Sequence, residues 1–284
     1  MAVNSHHPKY IKALDDWILM QDAHDGERKI KDEGLLYLSA TAGQIADGMA
    51  LGQPGREAYD AYKMRSRFPD AVKTAVEALV GVMHSKPPVI ELPTVMEPLL
   101  ERVTLNGESL EVLLRRINEQ QLISGRIGLL VDIMDNAPVG KLPYIATYNA
   151  QRILNWDDGT RDGLIRQNLN LVILEESEFE RTTNFEWEFE SKFRVAILGD
   201  PTENEPAGVA VYRVGVFRDE QTVFNEADML TPSISGRTLD EIPFVFINST
   251  DIVPSPLKPP LLGLANLAIG IYRGEADYRQ TLFL

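Results

Sequence analysis

Residues 108–134, ESLEVLLRRINEQQLISGRIGLLVDIM, constrain the fold more than any other stretch of the chain. Leu110, Leu113, Leu114, Ile117 and Gln121 recur at spacings of three and four, with Glu111, Arg115, Arg116 and Glu119 off that stripe. This is the period of an amphipathic helix. Asn106-Gly107 supplies a turn before it and Gly125 a stop after it. Residues 127–133 then form a short, almost wholly apolar run closed by Asp135-Asn136, which predicts a buried strand. A helix that drops through Gly125-Arg126 into a buried strand is a seed that later strands can join.

The rest of the chain sorts itself around that seed. Upstream, residues 9–24 carry Ile11, Leu14, Ile18 and Leu19 at helical spacing with Trp17 beside them, and predict a helix. Residues 26–43 mix charge with Gly34 and Tyr37-Leu38 and predict a loop lying on the body. Residues 40–55, rich in Gly and Ala, predict a flexible excursion. Helices are expected at 57–64 and 68–84. The second places Val72, Ala75, Val76, Leu79, Val80 and Met83 on one face and is ended by Lys86-Pro87-Pro88. An extended link at 89–93 and a brief helical stretch at 95–103 complete this half.

Downstream the texture changes to strands. Residues 142–148, 153–156, 169–175, 185–198, 209–218 and 242–247 alternate in polarity or are enriched in β-branched and aromatic side chains. Turn signals separate them at Asp157-Asp158-Gly159, Asp162-Gly163, Gly199-Asp200-Pro201 and Pro206-Ala207-Gly208. These features predict a mostly antiparallel sheet with one face solvated. A proline-rich crossing, DIVPSPLKPP, leads into a closing helix from residue 261. Helices first, strands afterwards and a helix at the end make an α+β body. The expected division is 1–106, mainly helical; 107–253, the α+β core; and 254–284, the linker and the closing helix.

Composition narrows the function classes. Net charge is −14, which argues against a surface that grips nucleic acid phosphates but not against a protein that lets DNA slide past. The chain has no cysteine, so disulfides and thiolate metal sites are excluded. No apolar run reaches membrane-spanning length and residues 1–10 do not resemble a signal peptide, so a soluble intracellular protein is expected.

Chemistry-bearing patterns are sparse. His6, His7, His24 and His84 are scattered, without a zinc-binding spacing. Residues 157–162, DDGTRD, hint at calcium ligation but lack the alternating acids and closing glutamate of a calcium loop, and read better as a solvated turn. Gly125-Arg126-Ile127-Gly128 precedes a strand and has no following Lys-Ser/Thr, so it reads as a tight turn and not a phosphate loop. No GxSxG elbow occurs. The acid run 178–190 fits exposed strand faces. These readings predict no catalytic residue, no cofactor and no nucleotide hydrolysis.

The closing segment, LLGLANLAIGIYRGEADYRQTLFL, is unusual. Its apolar stripe Leu261, Leu264, Ala268 and Ile271-Tyr272 is accompanied by Gly263, Gly270, Gly274 and Ala276. Glycine costs about 1 kcal/mol relative to alanine inside a helix, so its repetition suggests close approach by another backbone. The helix either packs inside its own domain or packs against another copy of the chain.

Five blocks, taken in order, carry a resemblance: HPKYIKALDDWILMQDAHDGERKIKDEG; YDAYKMRSRFPDAVKTAVEALVGVMHSKPP; GRIGLLVDI with PYIATYNAQRILNW; LDEIPFVFIN; and PPLLGLANLAIGIYRGEADYRQTLF. Together they resemble one family of tailed-phage portal proteins, over nearly the whole chain. The resemblance implies a portal-like wing with N-terminal helices, a β-rich sheet and a C-terminal helix that begins a stem. It implies a structural, non-enzymatic subunit of a ring, commonly of twelve copies, at one capsid vertex in the virion, assembled in the host cytoplasm. Implied partners are the major capsid protein, the terminase, a head–tail adaptor, and double-stranded DNA passing without sequence specificity. No membrane is implied. Leu264, Ala268, Gly270, Ile271 and Gly274 are the expected oligomer or stem contacts. Such a portal is expected to continue past Leu284 with the rest of the stem, a clip and a crown. A monomeric phage or prophage adaptor that binds a capsid or tail partner is the alternative reading.

Overall fold

The computed structural model describes residues 3–133, 142–157, 169–199, 210–218, 224–225, 228–234 and 237–282. Most of the expected turns, at 135–136, 158–163, 200–201 and 206–208, lie outside these residues, and so does most of the candidate calcium loop. The fold is α+β, with helices and exclusively antiparallel strand pairs among the described residues. The chain divides into two compact units that interleave along the sequence. The first comprises residues 1–14, 91–114 and 126–257, the second residues 15–90, 115–125 and 258–284. In the second unit, residues 15–90 share a core with residues 258–284 from the opposite end of the chain. Each unit is built by distant segments that bury their apolar faces together, whatever their order in the chain.

The second unit is helical. α1 (Pro8–Asp25) runs into it and is followed by α2 (Glu27–Glu33), α3 (Ala42–Ala46), α4 (Pro54–Arg65) and α5 (Ala71–Met83). The end of α6 (Leu110–Ile123) and all of α7 (Leu262–Leu282) also belong to it. The core gathers Met20, Ile30, Leu38, Tyr59, Tyr62, Val72, Val76, Val80, Ile123, Leu262, Ala265, Ala268, Ile269, Tyr272 and Ala276. Two expected loops are helical. α2 carries the i,i+4 pairs Glu27–Lys31 and Lys29–Glu33 and buries Ile30, and such pairs support a short helix. α3 is held by a capping box, in which the Thr41 hydroxyl accepts from the Gln44 N–H and the Gln44 side chain accepts from the Thr41 N–H. The face of α1 is also rotated from expectation. Trp17, Met20 and Ala23 are buried, whereas Ile11 is exposed.

The first unit is built on β1 (Arg126–Asp132), which lies between β11 (Phe244–Asn248) and β2 (Tyr144–Asn149) in a three-stranded sheet. Leu130 is fully buried, opposite Phe244 on one side and Ala146 on the other. Val131 is exposed, but Ile127 on the same face is buried, so the first half of β1 is covered on both faces, as its apolar run suggested, and only its far end opens to solvent on one. Gly125 adopts φ +79°, the left-handed turn expected of it. Gly128 has a different role: a Cβ there would fall 2.3 Å from the Phe244 ring, so glycine makes room for that aromatic inside the sheet.

A second, four-stranded sheet runs in the order β3 (Ile153–Asp157), β4 (Leu171–Glu175), β7 (Lys192–Gly199), β8 (Val211–Arg218). The strand expected at 185–198 is divided. Its first part is β6 (Trp187–Glu190), which pairs with β5 (Glu178–Arg181) as a ribbon separate from the sheet. β9 (Ser233–Ile234) and β10 (Arg237–Thr238) form a small additional ladder.

The two sheets are joined by a polar cluster. Arg194 on β7 donates to Asp132 of β1 at 2.8 Å and to Glu176 at 2.7 Å. Tyr144 and Tyr148 of β2 donate to Asp132 (3.0 Å) and Glu176 (2.5 Å). Burial is the main cause that pushes the Tyr144 and Tyr212 hydroxyls up to about 12, and Tyr148 rises too because burial and Glu176 both oppose the phenolate. In the second unit burial likewise raises Tyr59 to about 12. An unfolded tyrosine titrates near 10. The folded state therefore keeps protons that the unfolded chain has lost, and stability falls as pH rises from about 10 to about 12. Urea midpoints should hold level up to about pH 10 and then drop in step with phenolate absorbance. A flat midpoint across that interval would show that the tyrosines titrate as they do in the unfolded chain.

Candidate oligomer interface

α7 is the element that the sequence singled out, and it has two distinct faces. The inward face consists of Leu262, Ala265, Ala268, Ile269, Tyr272 and Ala276, all buried in the second unit's own core. Polar ties fix its rotation: Tyr62 donates to Asp277 at 2.6 Å, and Arg273 Nε donates to the Tyr37 carbonyl at 2.8 Å. The Phe68 ring meets Tyr272 edge-on.

The outward face carries Gly263, Leu267, Gly270, Ile271, Gly274 and Tyr278, spaced at threes and fours, and Leu282 follows a turn later. Leu267, Ile271, Tyr278 and Leu282 are each more than half exposed. A Cβ added at Gly263, Gly270 or Gly274 would meet nothing within 4 Å. The close backbone approach expected at these glycines is thus absent from their own chain. Gly270 and Gly274, inside the helix, cost about 1 kcal/mol each relative to alanine, and no described contact offsets this.

The expected contact residues therefore divide. Gly270, Ile271 and Gly274 lie on the open face. Leu264 is half-buried at the edge of the core, and Ala268 is fully buried inside it. Ala268 is accordingly a core residue and not a surface offered to another copy. The closing helix completes the core of its own unit, the first of the two packings open to it. The expected stripe ran through Leu261, Leu264, Ala268 and Ile271-Tyr272, whereas the core takes Leu262, Ala265 and Ile269 in place of Leu261, Leu264 and Ile271. Leu267 and Tyr278 were missed. A surface helix whose two faces are both apolar offers no hydrophobic contrast to orient it, and only the packing partner selects the buried side.

The other chemistry-bearing residues have structural surroundings. His7 stacks on Trp156 at 4.2 Å, His6 stacks on Tyr10, His84 Nε2 lies 2.9 Å from the Asn118 amide, and His24 lies beside Asp25 and Glu119. Arg126, fully buried at the head of β1, sits between the Phe246 and Trp156 rings at 4.2 and 4.8 Å from their centroids. Burial pulls its guanidinium down to about 9, which still leaves it charged at neutral pH, where the ring faces stabilise the cation. Among the described residues no three His, Cys, Asp or Glu side chains are placed to hold a metal. Among the same residues, no helix is long and apolar enough to cross a membrane. Comparison of the chain with models of known protein families and with curated proteins finds no match.

Proposed function

We propose that this chain is a structural portal subunit of a tailed phage, forming a ring through which DNA is packaged and ejected and to which terminase and tail connector proteins dock. The resemblance of five ordered sequence blocks to portal proteins suggests the class. The outward face of α7 is the observation that best supports assembly, because an apolar, glycine-smoothed helix surface suits close packing against a neighbouring copy. In a closed ring each copy meets its neighbour heterologously, so this face of α7 packs against a different surface of the next subunit. The net charge of −14 is compatible with a channel that does not retain DNA. The chain's part is architectural, with the energy for DNA movement supplied by a separate motor.

Mass in solution tests the reading directly. A ring has many times the 31.8 kDa subunit mass, and low-resolution images of it show annular particles. A mass near the subunit value at high protein concentration, with no annular particles, rejects the ring and favours a monomeric adaptor.

A further inference from the structure

The β4–β7 hairpin outgrows the sheet that holds it. Its register is continuous: Glu175 pairs with Phe193 within the sheet, and Glu178 with Glu190 in the ribbon beyond it. Ser177 is buried where the sheet ends, its Oγ accepting from the Lys192 N–H. Four further ladder pairs then project as β5 and β6, closed by a turn in which the Thr183 hydroxyl accepts from the Glu186 N–H. At about 3.4 Å per residue this arm extends roughly 20 Å from the sheet.

The arm is amphipathic. One face carries Phe179, Arg181, Trp187 and Phe189, with the Phe179 and Phe189 rings paired edge-to-face at 5.3 Å. Phe185 adds a fully exposed ring near the tip, at 92% exposure, and the other three aromatics are all more than half exposed. The opposite face carries Glu178, Glu180, Glu188 and Glu190. Lys192 neutralises part of it by pairing with Glu178, Glu180 and Glu190, and Arg218 pairs with Glu190 at 2.8 Å. Between positions 176 and 192 there are six glutamates and two cations. Among the described residues Glu186 and Glu188 have no basic partner.

We infer that this arm is a docking element for a protein partner that presents an apolar cleft walled by basic side chains. Four exposed aromatic rings on one short ribbon make an apolar patch on the order of 500 Å², at the upper end of what a monomer leaves uncovered. A stable symmetric dimer needs about 800 Å² per partner, more than one face of the arm supplies. Two arms placed face to face would also bring together two acidic ribbons of a chain that already carries −14. A cleft that closes on both faces doubles the buried area and must meet the glutamates with positive charge. This inference is independent of the ring assignment, because it rests on the arm and not on α7.

The test uses the full chain and a short end-blocked peptide of alternating lysine and leucine as the probe. Control peptides replace leucine by serine or lysine by glutamate. Trp17 and Trp156 are buried, so quenching by a soluble quencher reports Trp187 alone. The lysine–leucine peptide should bind and protect Trp187, and neither control should. Phe189→Ser, which leaves every charge in place, should weaken binding at least about tenfold without changing the melting temperature. Glu188→Gln should weaken it less and reduce its salt dependence. Equal affinity of the wild type and Phe189→Ser would mean generic charge attraction and overturns the proposal. Protection of Trp187 by zwitterionic vesicles but not by the peptide, or self-association abolished by Phe189→Ser, would identify a membrane or a second copy as the occupant and overturns it equally.

Discussion

Leu130→Asp should cost the first unit at least about 4 kcal/mol, most of the stability of a domain at the low end of the ordinary range of about 5–15 kcal/mol. Leu130 is 1% exposed at the centre of β1, between two paired strands. The substitution removes a buried leucine worth about 2–3 kcal/mol of apolar transfer and places a carboxylate in a site without access to water. Val131→Asp, one residue along on the solvent side of the same strand, should change stability by less than about 1 kcal/mol. The contrast between the two variants reads the register directly, since a slip of one residue exchanges the faces. Equal urea midpoints for the two would mean that the burial assigned to β1 is wrong.

Replacing Gly263, Gly270 and Gly274 together by alanine should have two opposite effects. No added methyl group meets a neighbouring atom, and Gly270 and Gly274 lie in the helix interior, so the isolated chain should gain up to about 1 kcal/mol at each of those two sites and melt a few degrees higher. If the outward face of α7 is packed against another copy, the added methyl groups should at the same time shift mass in solution towards the single subunit. Gly270→Leu should do so more strongly while leaving the fold intact. A triple variant that is more stable and assembles as well as the wild type would remove α7 from the interface. The thermal gain and the assembly loss are separate measurements, so a folding defect cannot imitate the expected result.

Much of the fold was legible in the sequence because it rests on local periodicity. The 3.6-residue stripe of α6, the Gly125 turn, the apolar run of β1 and the β-rich middle of the chain all declare themselves within a dozen residues. α2 and α3 were not, because a seven-residue helix held by charge pairs and a five-residue helix held by a capping box are too short to show a period. Read as a polar strand region, residues 178–190 gave no sign of being an arm. The strand alternation was visible, but which ladder pairs lie inside a sheet and which project beyond it depends on β3 and β8, whose partnerships are set by long-range pairing.

The same division holds for α7. Sequence by itself determined that this segment is a helix, that it carries an apolar stripe, and that glycine recurs on it at a cost local propensity does not explain. Tertiary structure alone decided which side is core. The packing of α4 and α5, with the ties Tyr62–Asp277 and Arg273–Tyr37, turned Ala268 inward and left Gly270, Ile271 and Gly274 outward. The physical reason is that hydrophobic burial is non-directional: the sequence states how much apolar surface must leave water, and only the neighbouring elements determine where it goes.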